Sequence, residues 1–125
     1  MDIVNTFFQK HYPTDWVSAW KTSYCAGSYG REYTGTERDK TIFPEMVCAD
    51  GLRLSVQGHF GAYSWPRDDF AASYGQVEIM GPPKADELLA PYERECNAVG
   101  YQMIYPYVPV EVVVKLIEKH GGLAA

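Results

Sequence analysis

Three histidines, His11, His59 and His120, are the first residues to test for chemistry, and they lie far apart. None forms HxH, HxxxH or HExxH, so no metal site is encoded locally. Cys48 with His59 has the residue types of a nucleophile and its base. Cys48, however, falls in the apolar run Ile42 to Ala49, where burial raises a thiol's pKa and makes it inert. Asp68-Asp69 with Glu78 is the one carboxylate group suited to acid/base work or Mg²⁺. Adjacent aspartates in a loop serve equally as solvated surface or a helix start. Gly27-Ser28-Tyr29-Gly30 is not GxGxxG and does not join a strand to a helix, so it makes no phosphate cradle. The cysteines are Cys25, Cys48 and Cys96: an odd number, widely spaced, with no CxxC. They read as reduced thiols rather than a disulfide frame or zinc knuckle. No catalytic residue, metal ligand or cofactor is expected from these patterns.

The aromatics point elsewhere. The chain holds ten Tyr and three Trp, 14% aromatic with Phe. Phe8, Tyr12, Trp16 and Trp20 follow a four-residue spacing and are expected in the core. Tyr24, Tyr29, Tyr33, Tyr63 and Tyr74 are too loop-borne to be core in every case. Tyr and Trp offer large contact area at low entropic cost and are enriched at interface hot spots. The expected binding residues are Tyr29, Tyr33, Trp65, Asp68 and Asp69, on an acidic, Tyr-rich face.

These side chains need a scaffold, and the sequence marks one. The aromatic spacing predicts a helix near residues 2–11 and a second from about Thr14 to Tyr24, divided at Pro13, with one kinked helix as the alternative. Residues 25–41 show no period and read as a long loop. Ile42 to Ala49, Asp50-Gly51 and Leu52 to Gln57 predict a two-residue β-hairpin. Leu52, Leu54 and Val56 should face inward, and Arg53, Ser55 and Gln57 outward. Gly58 to Ser73 is irregular; Tyr74 to Met80 is a third strand ended by Gly81-Pro82-Pro83. Asp86 to Glu95 reads as a helical turn broken by Pro91. Tyr101 to Val108 is a fourth strand, placed at an edge by Pro106. Pro109 opens a helix with Val110, Val113, Val114 and Ile117 on its apolar face, Glu111 and Lys115 paired outside, His120 near its end and Gly121-Gly122 closing it. Leu123 to Ala125 should fray. The class is α+β: a mainly antiparallel sheet of about four strands packed by the C-terminal helix, with aromatic-rich N-terminal helices.

The chain has 125 residues and a net charge of −5. One domain is expected, residues 1–41 forming a helical and loop addition to a core at 42–122. No basic cluster stands uncompensated, which argues against direct nucleic-acid binding. No apolar run reaches the ~20 residues of a membrane helix, and Met1 to Asn5 lacks the features of a signal peptide. A cytoplasmic protein with no membrane partner is expected.

Several segments add a resemblance. Pro44 to Gln57, Gln76-Val77-Glu78-Ile79 before Gly81-Pro82, Leu88 to Tyr92, Tyr105 to Val113 and Lys119-His120-Gly121-Gly122 resemble small uncharacterised accessory proteins of tailed phages and prophages, over about residues 42–122. The resemblance carries no activity and no catalytic residue. It implies a phage-encoded protein in the bacterial cytoplasm, one that binds and inhibits a host protein, defence machinery such as CRISPR effectors included. Acidic side chains could then mimic phosphate in a basic channel. The partner is thus expected to be a host or phage protein. The alternatives are a small enzyme or small-molecule binder, with a pocket between the sheet and loops 25–41 and 58–73, and a virion or assembly component.

Overall fold

The computed structural model describes residues 1–12, 42–80, 86–95 and 103–124. The expected helix at 14–24, the loop at 25–41 and the Gly81-Pro82-Pro83 stop lie outside these residues. Helix α1 spans Ile3–Lys10. It starts at Asp2, whose carboxylate accepts from the Asn5 N–H at 2.8 Å and so satisfies one of the helix's orphan donors. Val4, Phe8 and Tyr12 recur every fourth residue and are all buried. Phe8 stacks on Phe43 at 4.2 Å and meets the edge of Tyr74 at 5.5 Å. The Asn5 side chain closes both backbone groups of Tyr74, donating to its carbonyl at 3.0 Å and accepting from its N–H at 2.7 Å. Helix α1 is thus bolted into the core.

Among the described residues the sheet has five strands: β1 (Met46–Val47), β2 (Arg53–Gln57), β3 (Gln76–Met80), β4 (Arg94–Glu95) and β5 (Met103–Pro109). Their order is β1-β2-β3-β5-β4, and every pairing is antiparallel. The β1–β2 hairpin stands, but its turn is longer than expected. Cys48 N–H donates to Leu52 O at 2.8 Å, so Ala49, Asp50 and Gly51 form a three-residue loop. Gly51 has φ +94°, the left-handed conformation such loops place at their last position. Leu54 and Val56 are fully buried and Leu52 packs against the core, as the alternation requires.

Gln57 corrects that alternation. It is buried, and its side chain binds Phe43 at both ends, donating to the carbonyl and accepting from the N–H, each at 2.9 Å. Phe43 lies ahead of β1, beyond Pro44, and the Gln57 amide supplies partners for its backbone groups. Pro106 is also corrected. Its strand, β5, lies between β3 and β4 rather than at an edge. Val77 faces Val108 while Ile79 faces Tyr105, so β5 carries one extra residue here. That bulge excuses a residue with no N–H to give. Arg94–Glu95, expected within a broken helical turn, is the edge strand instead; only Ala90–Tyr92 keeps a turn of 3₁₀ helix.

Helix α2 spans Val110–Lys119 and buries Val110, Val113, Leu116 and Ile117 on the same core. Pro109 sits just before its first turn. Gly121 N–H donates to Glu118 O at 3.1 Å and Gly122 N–H to Ile117 O at 2.9 Å, ending the helix in two left-handed glycines. Leu123 and Ala124 do not fray. The chain reverses and lies antiparallel to β1: Ala49 N–H donates to Gly122 O and Ala124 N–H to Val47 O, both at 2.8 Å. The double glycine aims the tail at the edge of β1, and pairing there removes unsatisfied backbone groups. The expected Glu111–Lys115 ion pair is absent; the ion pairs among the described residues gather instead at Lys119 and His120.

Candidate functional site: an exposed aromatic platform

The segment between β2 and β3 starts at Gly58, where a Cβ would come within 3.0 Å of the Tyr74 ring. Glycine lets the chain pass close over that ring without displacing it. The next residues lie across the end of the sheet, and their backbone is closed by hydrogen bonds. Phe60 N–H donates to Asp69 Oδ1 at 3.0 Å, and Phe60 O accepts from Arg67 Nε at 2.8 Å. Tyr63 N–H donates to Glu78 Oε2 at 2.8 Å, and Tyr63 O accepts from Tyr107 N–H at 3.0 Å. Trp65 exchanges bonds with Gln76, and its carbonyl accepts from Gly75 as well.

On this rigid base the rings point outward. Trp65 is 67% exposed, Tyr63 45% and Tyr107 42%, with exposed Phe60 at the margin. Ser64, between Tyr63 and Trp65, is fully buried, while its two neighbours are exposed. The rings of Tyr63 and Tyr107 lie 6.0 Å apart at 50°, and the Arg67 guanidinium stands 5.1 Å over Tyr63. Tyr107 has φ +54°, a conformation costing a tyrosine ~1–3 kcal/mol that neighbours must offset. The β5 bulge and the Tyr63 bond hold it there, and the outcome is a large ring in solvent.

The expected site residues divide. Trp65 is the most exposed member of the platform. Asp68 is half-buried, and its carbonyl accepts from the Tyr74 hydroxyl. Asp69 is 1% exposed and holds the Phe60 N–H, so it is a loop fastener rather than a surface acid. Tyr74 is buried, and burial pushes its hydroxyl pKa up. Tyr29 and Tyr33 lie outside the described residues. Tyr107, Arg67 and Phe60 were not anticipated. Tyr107 was hidden because its strand reads as ladder, and only the bulge turns it out.

The candidate chemistry is spent on structure. Burial pushes the Glu78 carboxyl up, opposed by the Tyr63 N–H and the charge of Arg67, and its oxygen holds the loop. Cys48 is buried; desolvation, then Asp50, raises its thiol. His59, beyond the other end of β2, accepts from Gly61 N–H at 3.0 Å. Among the described residues no three His, Cys, Asp or Glu are grouped to hold a metal, and no helix is long and apolar enough to cross a membrane. A groove of about 550 Å³ runs beside α2, lined by Asp2, Tyr74, Val110, Glu111, Val114 and Lys115 among others. Comparisons with family models, with curated proteins and with solved structures found no match.

Proposed function

We propose that the chain is a protein-binding module whose working surface is the Tyr63, Trp65 and Tyr107 platform. The observation that carries this reading is exposure on a fixed backbone. Isolated exposed aromatics are ordinary, but here the Tyr63 ring pairs with Tyr107, and Tyr63 and the exposed Trp65 stand on backbone that is hydrogen-bonded into the fold, which pre-organises them for contact. Ordering costs are met before the partner arrives, so their area can go to affinity. The candidate nucleophile, bases and carboxylates are buried, fastened or separated, which favours binding over catalysis. The resemblance over 42–122 supports a phage accessory protein acting on a host protein, defence machinery included.

Capture from a bacterial host lysate, with mass spectrometry, tests this. The parent chain should retain a partner that Trp65→Ala and Tyr63→Ala lose while remaining folded. A partner retained equally by the parent and both variants, or none retained, would contradict the platform reading.

A further inference from the structure

We infer that the C-terminal tail is a strap over the edge of β1, held shut while His120 is an imidazolium and released when that proton leaves. The device shares no residue with the aromatic platform and stands apart from the binding role proposed above. Its lock joins three segments far apart in sequence. His120 ends α2, and its Nδ1 lies 2.5 Å from Asp50 Oδ2 in the β1–β2 turn. Its Nε2 lies 3.4 Å from Asp86 Oδ2. Among the described residues, Asp50 and Asp86 are the charged groups that face the ring. Lys119 stands behind them, 3.1 Å from Asp86 and 3.7 Å from Glu87. A neutral imidazole carries one N–H, so in this geometry its other nitrogen would turn a lone pair toward a carboxylate. The imidazolium offers a donor to each.

The lock and the strap share a backbone joint. The Asp50 N–H donates to the His120 carbonyl at 3.3 Å, beside the side-chain contact of the same two residues. Gly121 and Gly122 follow with φ +88° and +83°, and a Cβ on Gly121 would meet that of Ala49 at 3.1 Å. Beyond this joint the strap is slight. Two backbone bonds hold it, Ala49 N–H to Gly122 O and Ala124 N–H to Val47 O, with the packing of Leu123. So small a contact opens locally at little cost, and a charged contact at its root can set how often it does. When the strap lifts, Val47 O and Ala49 N–H lose their partners and the edge of β1 is uncapped. The Asp50 bond chiefly, and Asp86 with it, raise the imidazole's pKa against its desolvation. The lock therefore contributes fully below ~6.5 and is lost as pH rises through the folded value, so the strap opens on the alkaline side.

Carboxypeptidase digestion of the full chain, followed by intact mass, tests this, because the enzyme can take Ala124 only from a lifted strap. Rates are divided by those of a synthetic peptide of Leu116 to Ala125 at the same pH. The relative loss of Ala124 and Leu123 should rise about two- to fivefold from pH 6 to pH 8, the range an exposed ion pair supports. His120→Asn should trim at pH 6 at the parent's pH 8 rate and show no response to pH. Asp50→Asn, whose amide can still accept from the Leu52 N–H, should at least halve the response. Urea unfolding checks that each variant is folded. Equal relative rates in the parent at the two pH values, a faster rate at pH 6, or the full parental response in either folded variant would overturn the inference.

Discussion

At the scale of single residues, polar atoms show where the fold is tuned and where it is not. Tyr105 is fully buried, and among the described residues its hydroxyl has no hydrogen-bond partner. A buried unpaired hydroxyl costs ~1–3 kcal/mol. Tyr105→Phe should therefore raise stability by about 1 kcal/mol in urea unfolding; a loss of that size would mean the hydroxyl is bonded. Leu54 is the converse, a side chain with nothing but packing to contribute. Leu54→Ala should cost ~2–5 kcal/mol, and a loss below ~1 kcal/mol would show that the site collapses onto its neighbours. Leu54 was legible because β-alternation follows from strand geometry alone. Gln57 was not, since its partner, the Phe43 backbone, lies outside any strand and is brought to it only by the tertiary fold. Asp69 was misjudged for a similar reason: an Asp in a loop is solvated unless a backbone N–H is turned toward it, as that of Phe60 is.

At the scale of elements, the end of α2 is fastened by an imidazole between two carboxylates. His120 Nδ1 lies 2.5 Å from Asp50 Oδ2 in the β1–β2 turn, and Nε2 lies 3.4 Å from Asp86 Oδ2. Lys119 reaches Asp86 at 3.1 Å and Glu87 at 3.7 Å. Only the imidazolium donates from both nitrogens. The Asp50 bond, then Asp86, raises the His120 pKa; the Leu52 N–H and then His120 lower Asp50. Burial opposes the lowering of Asp86, and Leu88 N–H, Lys119 and His120 outweigh it. A raised histidine stabilises fully below its unfolded value, ~6.5, and that contribution is lost as pH rises through the folded value. Lowered carboxylates stabilise above ~3.9, and that contribution is lost as pH falls through their folded values. The fastening should be strongest between about pH 4 and 6.5. Amide exchange at Ala124, paired to β1, should be slower at pH 6 than at pH 8.5 after correction for intrinsic rate, and His120→Asn should flatten the difference. Equal protection in parent and variant would detach the cluster from the tail. The α2 pattern and the hairpin were readable from period and turn residues. The tail was not, because its partner is a sheet edge that no local signal announces. Pro106 misled because a proline reads as an edge until a bulge excuses it.

At the scale of the whole molecule, the described helices pack on one core, and the hydrogen-bonded segment between β2 and β3 leaves Phe60, Tyr63 and Trp65, with Tyr107 of β5, in solvent. The α+β class and the antiparallel sheet were legible because alternation, turn chemistry and helix period agree. The platform was legible only in part. Trp65 stood out by residue type in an irregular segment, whereas Tyr107 depended on a bulge between strands distant in sequence. The central claim is that this surface, and no thiol or imidazole, carries the activity. The most direct measurement is the dissociation constant of the captured partner for the parent, Trp65→Ala, Tyr63→Ala and Cys48→Ala, each checked for folding by urea unfolding. Trp65→Ala should weaken binding by ~2 kcal/mol or more, about thirtyfold, with stability nearly unchanged. Cys48→Ala should lower stability modestly and leave affinity intact. Parental affinity in both platform variants, with binding abolished in a folded Cys48→Ala protein, would contradict the account.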